Sequence, residues 1–112
     1  MMIQKNRHQE AIDYALNILG REPYKNYIEK IYLFGSCARE QEKYTSDVDL
    51  LLECSENMTA QIARSMRIAV MPEQLDMPEI DLKFEKGSKW KEQDDQFSKN
   101  LLKEGVLLWE KK

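Results

Sequence analysis

The sequence predicts an α/β domain, and three observations lead to that class. Apolar residues recur at helical spacing near the N-terminus, and short runs rich in Ile, Tyr, Phe, Val and Leu read as strands between turn residues. The two kinds of segment then alternate along the whole chain. Ala11, Ile12, Ala15, Leu16 and Leu19 mark an amphipathic helix over residues 3–19, with Gly20 as its stop. Pro23 and Asn26 mark the connection to a strand, "IEKIYLFG", that Gly35 ends. A short polar helix is expected from Ser36 to Gln41, and "DVDLLLEC" is the second strand. Asn57 or Thr59 can cap the next helix, which carries Ile62, Ala63, Met66 and Val70 on one side and ends before Pro72. After a turn at Pro78, "EIDLKF" is a third strand. Gly87 and Ser88 open a further helix, on which Trp90, Phe97, Leu101 and Leu102 are expected to face inward. Gly105 closes it, and "VLLWE" is a last short strand or extended tail. With 112 residues and no repeat, low-complexity tract or linker, residues 1–112 are expected to form a single domain.

The bulk numbers exclude several functions. Hydrophobic residues make up 42% and charged residues 33%, an ordinary globular balance. The net charge of −3, without a Lys/Arg block, gives no case for direct nucleic-acid binding. No run approaches the roughly 18 apolar residues of a membrane span, and the polar N-terminus lacks a signal-peptide core, so a cytoplasmic protein is expected. Cys37 and Cys54 have neither disulfide-framework nor zinc spacing and are expected to be reduced thiols. His8, among Lys5, Arg7 and Gln9, is expected to be a solvated surface residue. A single histidine leaves no Ser-His-Asp or Cys-His hydrolase pattern.

The chemistry is concentrated between Leu33 and Glu53, "LFGSCAREQEKYTSDVDLLLE". Asp47 and Asp49 stand two apart on a strand, so both point to one face, while Val48 and Leu50 take the other. Acids held this close repel unless something positive lies between them. Asp81, set between Ile80 and Leu82, would bring a third carboxylate to that face if its strand pairs beside the second. Three hard oxygen donors favour magnesium or manganese over zinc. Two such ions about 4 Å apart can clamp the attacking and leaving oxygens of a phosphoryl or nucleotidyl transfer. Gly35-Ser36, at a strand end before a short helix, can present backbone N–H groups and a hydroxyl to a phosphate. Either piece by itself is weak, since Gly-Ser is common in turns and a lone D-x-D is usually a solvated strand start. Their joint order is informative.

In that order, "FGSCARE" followed by "SDVDLLL" resembles the minimal nucleotidyltransferases of the DNA polymerase beta superfamily, with the pattern G-S-x-A-R-G, a spacer, then S-D-x-D-[LI]. The resemblance covers nearly the whole chain and implies a nucleotidyltransferase fold, a small mixed sheet flanked by helices. It implies that Gly35 and Ser36 hold the triphosphate and that Asp47 and Asp49 ligate two Mg2+ ions (Mn2+ being an alternative). Asp81 would ligate the catalytic ion and help deprotonate the acceptor. Arg39 matches the family arginine, either touching phosphate or bracing the loop, and Ser46 caps or orients the aspartate loop. The chain departs from the pattern at Glu40, where the family has glycine, placing an extra negative charge near the triphosphate unless Glu40 points to solvent.

The resemblance further implies transfer of AMP from ATP to a hydroxyl. The acceptor it suggests is a tyrosine of a HEPN-type helical partner, with this chain as the antitoxin of a toxin–antitoxin pair. Two other functions compete: a non-catalytic module that covers its partner, and a nucleotidyltransferase for a small hydroxylated molecule such as an aminoglycoside. Trp90, Trp109 and Val106–Leu108 either complete the core or leave apolar surface for a partner or a second copy in a homo-oligomer.

Overall fold

The computed structural model describes residues 7–35, 47–73 and 77–111. The expected short helix over Ser36–Gln41, and with it Ser36, Cys37, Arg39, Glu40 and Ser46, lies outside the described residues.

Helix α1 is described over Arg7–Leu19. Its buried stripe is His8, Ala11, Ile12, Ala15 and Leu19, a helical repeat that includes the histidine. His8 is therefore inside, only 7% exposed, and not the solvated residue that its polar sequence neighbours suggest. Its place one turn before Ile12 decides its burial. A 3-10 turn over Tyr24–Tyr27 leads into strand β1, Ile28–Phe34, on which Ile28, Ile31 and Leu33 are buried. Strand β2 spans Val48–Cys54. Helix α2, Ala60–Ala69, starts at Thr59, whose hydroxyl accepts from the Ile62 N–H at 3.1 Å; of the two possible caps, Thr59 is the one used.

Strand β3 spans Ile80–Lys86, helix α3 Gln96–Glu104 and strand β4 Val106–Glu110. The single helix expected after Gly87-Ser88 is in fact two pieces. A 3-10 turn, Lys89–Glu92, buries Trp90, and α3 starts afresh where the Asp95 carboxylate accepts from the Ser98 N–H at 2.7 Å. That hydrogen bond holds the Asp95 carboxyl below its usual range. The break rotates Leu102 outward, to 54% exposure, while Leu101 is buried.

The four strands form one mixed sheet in the order β3-β2-β1-β4. β2 and β3 are parallel and joined through α2, whereas β1 runs antiparallel to both β2 and β4. One face carries the larger core, with Leu19, Ile31, Leu50, Leu52 and Met66 all at 0% exposure. The other face has a smaller core of Leu51, Trp90 and Leu101, flanked by Tyr32, Phe34 and Phe97. So β2 is buried on one side only at its start; from Leu51 onward both sides are covered. Trp90 belongs to this core and is not uncovered. The exposed apolar residues of the C-terminal stretch are Val106 and Leu107, on edge strand β4. Among the described residues no helix is long and apolar enough to cross a membrane.

Candidate active site

Strand register arranges the second face into rows. Phe34 pairs with Asp49, and Asp49 with Asp81. Next come Tyr32, Leu51 and Lys83, then Lys30, Glu53 and Glu85. Because paired residues project from the same face, Asp49 and Asp81 are side-by-side neighbours, and Asp47, two residues earlier, extends the acidic group at the start of β2. The parallel pairing of β2 and β3 that the third carboxylate needs is therefore present. Antiparallel neighbours would have put Asp81 beside the opposite end of β2.

The three acids also interact electrostatically. Burial pushes the Asp49 carboxyl above its usual range, and the charges of Asp81 and Asp47 push it further. Asp49 is half-buried, whereas Asp47 and Asp81 are exposed. Gly35 closes the group on the β1 side. Its φ of 76° lies in the left-handed region, and a Cβ there would collide with the Asp49 carboxylate. Only glycine meets both demands at that position.

A divalent cation suits the chemistry of this donor set. The donors are three carboxylates without imidazole or thiolate, and they repel one another. Among the described residues, no three His, Cys, Asp or Glu side chains form a ready-made metal cage. Coulombic coupling reaches further than coordination distance, so the two findings are compatible: the acids share a face and feel each other without being drawn to ligand distance.

Several residues near the site were not singled out from sequence. Phe97 of α3 packs edge-on against Phe34, centroids 5.2 Å apart, and the Lys83 ammonium lies 3.9 Å from the Phe97 ring centroid. The ring thus links β1 and β3 beside the carboxylate row. Behind it, Glu53 is only 3% exposed, accepts from the Trp90 indole N–H at 2.7 Å and lies 3.7 Å from the Lys91 ammonium. A hydrogen bond with Tyr32 and the Glu53 charge hold the Lys91 ammonium above its usual range. Glu53 is in phase with Asp47 and Asp49 in the sequence, the one signal that could have marked it as facing this side. Of the residues expected to act, the structure brings together Gly35, Asp47, Asp49 and Asp81; Ser36, Arg39 and Ser46 fall outside the described residues.

A mixed sheet with acids at the start of its parallel strands, faced by a strand-ending glycine, is the arrangement expected of a nucleotidyltransferase. The chain belongs to the polymerase beta nucleotidyltransferase family, whose model matches residues 17–112. Among solved structures, a toxin–antitoxin crystal structure with AMP-PNP contains a chain with TM-score 0.59 and 18% identity, over 96% of this chain and 75% of that one. A proposed nucleotidyltransferase from Sulfolobus solfataricus is 22% identical over 98% of this chain and 93% of its own, at TM-score 0.48. At 18% identity, the first of these bears on the fold alone. No curated protein matches this chain.

Proposed function

We propose that this protein transfers AMP from ATP to a hydroxyl in a reaction that depends on a divalent cation. The observation that carries the proposal is the register pairing of Asp49 with Asp81, next to Asp47 and against Gly35. Asp47 and Asp49 would hold the cation that accompanies the triphosphate, and all three acids the one at the reacting centre. Bound there, Mg2+ would neutralise the acids and the phosphate charge developing in the transition state. The acceptor oxygen attacks the α-phosphorus, the bond to pyrophosphate breaks, and the acceptor proton passes to Asp81. Gly35 lets the backbone approach the triphosphate, with Ser36, Arg39 and Ser46 as further contacts expected from the family pattern. The acceptor in this proposal is a tyrosine of a HEPN-type helical protein, the chain acting as an antitoxin. The AMP-PNP and the toxin–antitoxin setting of the 18%-identical neighbour favour that choice over a small-molecule acceptor.

ATP radiolabelled at the α-phosphorus, incubated with the chain and a HEPN-type partner protein in Mg2+ or EDTA, tests the proposal. Label on the partner in Mg2+ only, lost with Asp49→Asn, is the expected result. Equal partner neutralisation by wild type and Asp49→Asn, without label, would show a covering module and not an enzyme.

A further inference from the structure

Helix α2 carries charge of one sign only. Within Ala60–Ala69 the charged residues are Arg64 and Arg67, in a chain whose net charge is −3. Ala63 and Met66 turn inward, and the outward stripe is Gln61, Arg64, Ile68 and then Met71, just beyond the helix end. Intervals of three, four and three residues are those by which one helix seats another. Ile68 and Met71 are each 62% exposed, the highest values among the large hydrophobics of the described residues. A single exposed apolar residue is ordinary, but these two stand together on a stripe flanked by arginines. The Arg67 guanidinium lies 4.9 Å from the centroid of the Phe84 ring on β3, whereas Arg64 has no acidic partner among the described residues.

We infer that this stripe docks an amphipathic helix with acidic residues beside its apolar seam, carried by the partner protein of the reaction proposed above, on which reading the assignment rests. Charge complementarity selects the occupant. Facing Asp or Glu side chains would pair with Arg64 and Arg67, while the apolar seam covers Ile68 and Met71. A second copy does not fit, because α2 against α2 brings arginine to arginine with no acid on either helix to offset them. A nucleic-acid backbone would meet the arginines but leave Ile68 and Met71 in water. The place suits the reaction as well. The crossover from β2 to parallel β3 runs α2 back against the strands, so Met71 lies toward the end of the sheet where β3 starts and Asp81 stands. The acids are on the other face of the sheet, but β3 is an edge strand, which leaves that side open to a protein docked on α2.

Calorimetric titration of the full chain with a HEPN-type partner protein, alongside the α-label assay, tests the inference. Arg64→Glu and Ile68→Gln change exposed side chains, so neither should alter the melting temperature or ATP–Mg2+ binding, and each should weaken partner binding at least about tenfold. Arg64→Lys keeps the charge and should stay within about threefold of wild type. Partner affinity unchanged in either of the first two variants, or absent in the wild type, would overturn the docking surface. So would a variant effect seen instead on self-association, on RNA or on phosphatidylserine vesicles, each of which assigns the stripe to another occupant. Binding that depends on Arg64 and Ile68 without label on the partner would overturn the transfer reading and leave the surface standing.

Discussion

Asp49→Asn should make the protein more stable and inactive at once. Asp49 is half-buried, its carboxyl is raised by burial, and it has Asp81 and Asp47 as acidic neighbours on the same face. At roughly 6 Å two like charges repel by about 0.7 kcal/mol in a water-like dielectric and by nearly 3 kcal/mol at an effective dielectric of about 20. Asp47 and Asp81 are exposed, so the lower figure applies and salt reduces it further; removing the Asp49 charge should stabilise the metal-free fold by about 1 kcal/mol. For a chain of this size that is about 4 °C in Tm. The sign with pH follows from the direction of the shift. A carboxyl raised in the folded state binds more protons there than in the unfolded chain, so its contribution to stability falls as pH rises from the unfolded carboxyl range near 4. The advantage of Asp49→Asn is thus present at pH 7 and fades below about pH 4, where both side chains are neutral. Thermal melts of both proteins at pH 7 and pH 3.5 in EDTA, then at pH 7 with Mg2+, make the measurement. Mg2+ should raise the wild-type Tm more than the variant's. A variant less stable than wild type at pH 7, or a gain that persists at pH 3.5, would refute the like-charge account of this face.

Further outcomes follow from the same geometry. Gly35→Ala combines a left-handed backbone, costing about 1–2 kcal/mol, with displacement of the Asp49 carboxylate; transfer should fall at least about 100-fold, and unchanged transfer would contradict that contact. Asp81→Asn should lower turnover at least about 100-fold with little change in ATP affinity by calorimetry, whereas Asp47→Asn should weaken ATP–Mg2+ binding itself. Trp90→Phe removes the indole donor from buried Glu53 and should cost about 1–3 kcal/mol in urea unfolding, a loss under about 0.5 kcal/mol contradicting the bond. Cys54 is buried, and burial pushes its thiol up to about 12, so iodoacetamide at pH 8 should leave it unmodified in the folded protein, as peptide mapping would show.

Much of the fold was legible because each strand and helix carried its own local signal. Ile31 and Leu33 alternate in burial with Lys30 and Tyr32, and Thr59 stands where a cap is needed. The break between Trp90 and Phe97 is not legible, because Gly87-Ser88 looks like one helix start, and the second start at Asp95 is distinguished only by which carboxylate reaches a backbone N–H. The burial of His8 is not legible from its neighbours, because their charge says less than helical phase does about which side faces the core. At the site, Asp47, Asp49 and Gly35 were legible from spacing. Phe97, Lys83 and the Glu53–Trp90 pair were not, since their meeting depends on how α3 and the turn before it lie across the sheet.

The third carboxylate shows where sequence spacing stops and topology begins. Asp81 is 32 residues from Asp49, and nothing in that distance fixes their adjacency. What fixes it is that β2 and β3 are parallel and in register, from Val48 against Ile80 to Cys54 against Lys86. A shift of one residue would turn Asp81 to the opposite face, into the core formed by Leu50 and Leu52, and bring Leu82 out toward solvent. Burying Leu82, now 3% exposed, and keeping Asp81 in water are therefore one choice of register. The hydrophobic packing that holds β3 in place is also what sets the distance between the two acids. Stability on one face and chemistry on the other are coupled through a single strand, so substitutions at Leu82 or Leu50 that shift this register should impair transfer before they unfold the chain.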